Sequence, residues 1–381
     1  MISHWPGIEQ GVIYFRRMKL GEIIRYLESR AHPSLQEDYD NSGLLTGSTD
    51  MHITGALICL DCTEAVVQEA VRKGLNLIIA HHPVIFSGLK KLNGKNYIER
   101  TIIAAVKNDI AIYAIHTNLD HAFEGVNHKI SEKLGLKNIN ILESKTGKLK
   151  KIVVFVPSSH HSAVRSAMFE AGAGHIGNYD HCSFGVDGTG TFRGNENSSP
   201  YAGTSGKDHE EKEVRLEMVI PSWKEAEVIR AVKGAHPYEE VAFDLSSIEN
   251  KWDRVGSGMI GELEKSEGTM EFLKRLKNTM GAGVVRHTAL TTNEVRRVAV
   301  CGGSGSFLLK QAIAAGADVF VTADFKYHQF FDADGQIIIA DIGHYESEQF
   351  TMELLNDWLR QKFPTFATHL TEVTTNPVHY L

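Results

Sequence analysis

Residues 53–82 and 295–324 align without a gap at an offset of 242 residues, and this repeat constrains the fold more than any other feature of the chain. Each stretch reads strand, tight turn, amphipathic helix, glycine, strand: ITGALICLDCTEAVVQEAVRKGLNLIIAHH against VRRVAVCGGSGSFLLKQAIAAGADVFVTAD. Cys59 falls on Cys301, Gly74 on Gly316 and His82 on Asp324. The next segments correspond too: residues 109–134 and 336–359 each read strand, loop, helix, bringing Asp120 onto His344 and Glu124 onto Glu348. Strands alternating with helices predict mainly parallel sheets. The expected fold class is α/β, with two related α/β lobes.

The middle of the chain follows another order. Residues 150–157 read as strand, 160–172 as helix and CSFGVDGTGTFRG (182–194) as a hairpin. Residues 195–212, NENSSPYAGTSGKDHEEK, read as a polar and mobile loop. Then come a strand (213–221), a helix (222–234) and a strand (241–248). β-α-β-β-α-β is the ferredoxin-like pattern. The expected domains are a poorly ordered tail over 1–17, lobe one over 18–147, a ferredoxin-like α+β insert over 148–250, and lobe two over 251–381.

With 381 residues, the chain is too long for one small core. A net charge of −7 does not suit a generic nucleic-acid binder. No apolar run reaches the length of a membrane span, and the first residues lack a signal-peptide pattern, so no membrane role is expected. Four cysteines are too few for a disulfide scaffold and suit the reducing cytoplasm. Cys59 and Cys62 form a lone CxxC, better read as packed and reduced than as a redox or zinc motif.

In parallel α/β sheets, sites form outside the carboxyl ends of the strands. Here those ends carry His81 and His82 after strand 75–80, His116 and Asp120 after 110–115, Asp324 after 318–322, and His344 after 336–341. Glu348 lies four residues beyond His344, on the same helical face. Each has a plain structural meaning by itself: a surface histidine pair, an Asp helix cap, an i, i+4 pair. Together His81, His82, Asp120, His344 and Glu348 make a mixed N/O set suited to Zn, with Mn, Fe, Co or Ni as alternatives. Five side chains exceed what one catalytic ion takes, whereas two ions sharing a carboxylate would use all five. GGSGS (302–306) could cradle a phosphate or simply supply a tight turn. Lys145, Lys148, Lys150 and Lys151 read as a solvated linker face.

With these motifs in view, the chain resembles the Nif-three-like dinuclear-metal family, many of whose members are labelled GTP cyclohydrolase I type 2 homologues. The resemblance rests on EDYDNSGLLTG (37–47), IIAHHPVIFSGLKKL (78–92), IHTNLDHAFEGVNHKI (115–130), RVGSGMIGEL (254–263), CGGSGS (301–306), TADFKYH (322–328) and GHYESE (343–348). CSFGVDGTGTF (182–192) and HPYEEVAFDL (236–245) resemble the CutA-like or P-II-like insert of the longer members. The resemblance implies a homohexamer and two divalent ions per chain on His81, His82, Asp120, His344 and Glu348, with Glu348 bridging. His116, Asp324 and His328 also match family motifs. They are expected to act as outer-shell or substrate contacts, with His116 or His328 moving protons, a task that imidazole suits. The expected function is metal-dependent hydrolysis, an activated water attacking a purine nucleotide such as GTP or a related cyclic amide. The alternatives are a non-catalytic metal-binding regulator or scaffold, and a two-metal phosphoesterase.

Overall fold

The computed structural model describes residues 18–381. The expectation for residues 1–17 lies outside them. The chain divides into two compact units. One takes the chain up to Leu142 and again from Ser257 to Leu381; the other is Glu143–Gly256.

The first unit contains two main sheets. In one, the parallel strands Thr368–Leu370, Ala56–Asp61, Leu77–His82 and Ala111–Ala114 lie side by side, with Gly43–Thr46 antiparallel at the edge. In the other, Glu294–Ser304, Val319–Ala323 and Ile338–Asp341 are parallel, flanked by Arg286–His287, Gly256–Gly268 and Lys137–Ser144. The repeat extends to the direction in which side chains face. Leu57, Cys59 and Ile78 pack outward under the helices Glu64–Arg72 and Tyr97–Lys107, and their equivalents Ala299, Cys301 and Phe320 pack outward in the second sheet. Ile58 and Ile79, like Val300 and Val321, face one shared inner core. This is the two-residue alternation of a strand covered on both faces.

The inner core unites the lobes. It combines the helices Leu20–Arg30 and Val126–Leu134 from one end of the chain with Thr269–Thr279 and Thr351–Lys362 from the other. The ends are also exchanged between sheets. Lys137–Ser144, which follows lobe one, joins the second sheet, while Thr368–Leu370, which closes lobe two, pairs with Ala56–Ile58 of the first. Sequence periodicity marks strands but not their partners, so the repeat did not disclose this exchange.

In the second unit, Phe243–Ser247, Leu149–Pro157, Asp208–Pro221 and Phe184–Arg193 form an antiparallel sheet in spatial order 4-1-3-2. Helices His161–Glu170 and Glu225–Ala235 supply Val164, Met168, Val228 and Val232 to its core. The topology is ferredoxin-like. Two local expectations are corrected. Residues 182–194 are not a hairpin in themselves; Phe184–Arg193 is one strand, paired with Asp208–Glu217. Residues 208–212 belong to that partner strand rather than to a loop. Gly188 and Gly190 leave one face of this strand bare, and Gly185 lies on the other face. The basic run is paired: Lys150 reaches Glu225 at 2.6 Å, and Lys151 bonds Glu217.

Candidate metal centre

His81 and His82 end the strand Leu77–His82, and Pro83 stops it there. Alternation sends the two rings to different surroundings. His81 is fully buried, and its Nδ1 donates to the Ile115 carbonyl at 2.8 Å. His82 places Nδ1 2.8 Å from Asp61 Oδ1. Asp61 ends the neighbouring strand, and the parallel register sets it beside His82. His344 and Glu348 open and close a short helix, so both face the same way. Asp120 ends the single-turn helix Thr117–Asp120.

These five side chains meet at Glu348, which is 3% exposed. Oε2 of Glu348 lies 3.0 Å from His82 Nε2 and 3.1 Å from His344 Nε2, and those two nitrogens are 3.3 Å apart. Oε1 faces the other side, 3.8 Å from His81 Nε2, which is itself 3.6 Å from Asp120 Oδ1. Two donor groups thus share one carboxylate: His82–His344–Glu348 and His81–Asp120–Glu348. Metal–ligand bonds of 2.0–2.1 Å give a tetrahedron with edges of about 3.3 Å, which the first triangle matches closely. The second is wider, and there His81 Nε2 and Asp120 Oδ1 are buried with no hydrogen-bond partner. Buried polar atoms are seldom left unmatched; a divalent cation would satisfy both.

Each imidazole is held from behind. His344 Nδ1 lies 2.6 Å from Asp324 Oδ2, and His116 Nδ1 is 2.8 Å from Asp40 Oδ1. A carboxylate or carbonyl oxygen can only accept, so each Nδ1 carries the proton and Nε2 is the donor atom presented to an ion. Thr117 also donates to Asp40 through its backbone N–H at 3.1 Å and through its hydroxyl.

Without a cation the cluster keeps protons. Burial opposes charge on His82, but Asp61 and Glu348 outweigh it and lift its pKa to about 10. His344 is likewise raised to about 11 against its burial, by Glu348 and Asp324. Burial disfavours an ionised Glu348, yet the surrounding imidazoles hold it well below the ordinary carboxylate range. Asp120 is pushed up by burial, with Glu348 adding to the effect.

The sequence also singled out His116, Asp324 and His328. His116 joins the cluster: its ring lies 5.3 Å from that of His81 and 5.2 Å from that of His82, within the group His81–His82–His116. Asp324 lines the cavity but is bonded to His344, which makes it a positioning residue rather than a proton carrier. His328 is exposed beside Tyr327 and Phe331, belongs to neither donor group and does not line the cavity. GGSGS does not form a free amide cradle at its first two residues. Gly302 N–H donates to Asn127 and Gly303 N–H to Ser347, both at 2.9 Å. Gly303 has φ +60°, and a Cβ there would collide with the Glu348 carboxylate. Its bare backbone makes room for the shared ligand. Asp61 and Asp40 were missed as supporting residues. Asp61 is aligned with Gly303 in the repeat, so the repeat gives it no counterpart, and Asp40 lies inside the EDYDNSGLLTG motif without the spacing to His116 that would mark it.

The cluster opens on a cavity of about 920 Å³. Tyr39, Phe86 and Tyr97 line it, as do Pro377, Val378 and Tyr380 near the carboxyl terminus. That last segment is tied to the site: Thr375 donates to Asp61 Oδ2 at 3.0 Å, and Asn376 to Glu346 at 3.0 Å. No helix among the described residues is long and apolar enough to cross a membrane.

Comparison with known proteins fits this architecture. A family model described as Duf34/NIF3 (NGG1p interacting factor 3) matches residues 18–377. A Halalkalibacterium halodurans protein named GTP cyclohydrolase 1 type 2 homolog is 39% identical over 363 residues, covering 94% of this chain and 96% of its own. A Bacillus subtilis protein of the same name is 37% identical over 366 residues, covering 94% and 98%. The crystal structure of a Bacillus cereus protein related to NIF3 superposes with a TM-score of 0.85 at 38% identity, covering 96% of this chain and all of that one. The match runs through both lobes, the insert and every residue of the polar cluster, and on that ground the chain belongs to the Duf34/NIF3 family.

Proposed function

We propose that this protein binds two divalent ions per chain and is a metal-dependent hydrolase acting on a purine nucleotide or a related cyclic amide. One observation carries the reading: Glu348 presents one carboxylate oxygen to His82 and His344 and the other toward His81, at the foot of a cavity large enough for a nucleotide base. Two divalent ions in this donor set, zinc first and Mn, Fe, Co or Ni as alternatives, would supply Lewis acidity and a water of lowered pKa.

The chain's own residues supply the rest. Asp61, Asp324 and the Ile115 carbonyl fix the rings of His82, His344 and His81. Tyr39 and Phe86 stack with centroids 6.3 Å apart at the cavity wall and offer apolar faces to a planar ring. His116, its Nδ1 committed to Asp40, turns its remaining nitrogen to the reaction space and moves the proton there. The family name carried by the relatives, GTP cyclohydrolase 1 type 2 homolog, supports a purine nucleotide as the first substrate to try.

The test is turnover. Metal-loaded protein is incubated with GTP, other nucleotides and cyclic amides, and products are separated by chromatography. Ring-opened product that disappears in Glu348→Gln supports the proposal. Phosphate release without ring opening would favour a two-metal phosphoesterase, and full metal content with no product would favour a regulatory or scaffold role. We extend the proposal to a cytoplasmic homohexamer with a CutA/P-II-like insert, for which the family resemblance and the ferredoxin-like strand order are the support; sedimentation velocity tests the assembly.

A further inference from the structure

The unit Glu143–Gly256 has a cavity of its own, about 670 Å³, between the paired strands Phe184–Arg193 and Asp208–Pro221 and the segment around Tyr238. Three aromatic rings stand together on its wall: Tyr238 lies 5.6 Å from Phe192 and 6.2 Å from Tyr201. Behind them sits Glu213, only 9% exposed. Its carboxylate rests on Gly190, where a Cβ would collide with it, so the bare face of this glycine-rich strand is what admits the acid. Tyr238 Oη donates to Glu213 Oε1 at 3.0 Å, and Glu213 has no ion pair among the described residues.

A carboxylate this buried is costly without a cationic partner. The two arginines on the cavity wall are committed elsewhere. Arg193 grips Asp208 through two bonds of 2.6 and 2.7 Å, and Arg215 pairs with Glu217 at 2.8 Å. Glu239 and Glu240 add further negative charge to the wall. An anion is therefore disfavoured, and a purely apolar guest would leave Glu213 unmatched. No group of three metal-ligating side chains lies here among the described residues. Aromatic faces around one acid suit an organic cation, whose charge is attracted to the ring quadrupoles while its carbons fill apolar space.

We propose that this cavity binds a small organic cation, an alkylammonium or quaternary ammonium group, with Glu213 as counter-charge and Phe192, Tyr201 and Tyr238 as its cage. The site is separate from the metal cluster and does not rest on the hydrolase reading.

Calorimetric titration of the full chain with choline, and with its neutral isostere 3,3-dimethylbutan-1-ol, tests it. Choline should bind saturably at one site per chain, and the alcohol should not. Glu213→Gln should weaken choline by about tenfold or more, and Tyr201→Leu by a few-fold. Tyr201 is 54% exposed, so Tyr201→Leu removes little buried surface and keeps the test intact should Glu213→Gln misfold by circular dichroism. His82→Ala, in the other unit, should leave choline binding unchanged. No saturable binding up to about 10 mM, beyond the weak end of the affinity scale, would overturn the proposal. So would equal binding of the alcohol, or unchanged binding in both cavity variants.

Discussion

Asp61 Oδ1 accepts from His82 Nδ1 at 2.8 Å, and its second oxygen takes the Thr375 hydroxyl at 3.0 Å. A carboxylate from one strand thus aims a ring on the next, and a residue near the carboxyl terminus aims the carboxylate. Supporting partners of metal-bound histidines are worth about 10–100-fold in affinity. Asp61→Asn should weaken zinc binding by that factor while leaving the thermal midpoint of the ion-free protein within a few degrees. Competition with a chromogenic chelator reads the affinity; unchanged binding would remove Asp61 from the site.

Acidity should control uptake. His82 and His344 hold protons to about pH 10 and 11 without ions, above the ordinary 6.5. The stability their ion pairs lend the ion-free protein is complete below pH 6.5 and is lost as the pH climbs through 10 to 11. Metal binding requires neutral imidazole, so its apparent affinity should rise between pH 6 and 9, with protons released on binding. Titration calorimetry in buffers of different ionisation enthalpy counts them. Uptake without proton release would mean that these rings are not the ligands.

Gly303→Ala sets a side chain against the Glu348 carboxylate, and its φ of +60° adds strain of about 1 kcal/mol or more. Metal content should fall by at least one ion per chain, whereas Gly316→Ala, at a left-handed turn with open space, should lose stability alone. Elemental analysis of the two purified variants separates the effects.

His116 and Asp40 should matter for rate rather than for ions. Asp40→Asn leaves all five proposed ligands in place but alters what His116 Nδ1 bonds to. Turnover should fall by about 10²–10⁴-fold, the range for a lost acid–base group, with metal content unchanged. Equal loss of both would make His116 a ligand instead.

The strand-end histidines and carboxylates could be read from the sequence because each sits where a run of apolar residues ends, and a parallel sheet gathers such ends. The gap-free repeat foretold the facing of Cys59 and Cys301, since a shared strand position fixes a shared side of the sheet. What stayed hidden depends on contacts remote in sequence. Asp40 reaches His116 across 76 positions, and Thr375 reaches Asp61 across 314. The exchange of Lys137–Ser144 and Thr368–Leu370 between sheets is likewise a matter of strand partners. His328 was singled out by its place in the TADFKYH motif, and a motif match does not show which way a side chain faces; it lies in an exposed turn that does not line the cavity.

Anomalous diffraction from crystals grown with zinc puts the account to its most direct test. Two peaks per chain should flank Glu348, one bounded by His82 and His344 and the other by His81 and Asp120. A map with no peak beside Glu348, or with zinc held by other residues while these five face only solvent, would contradict it.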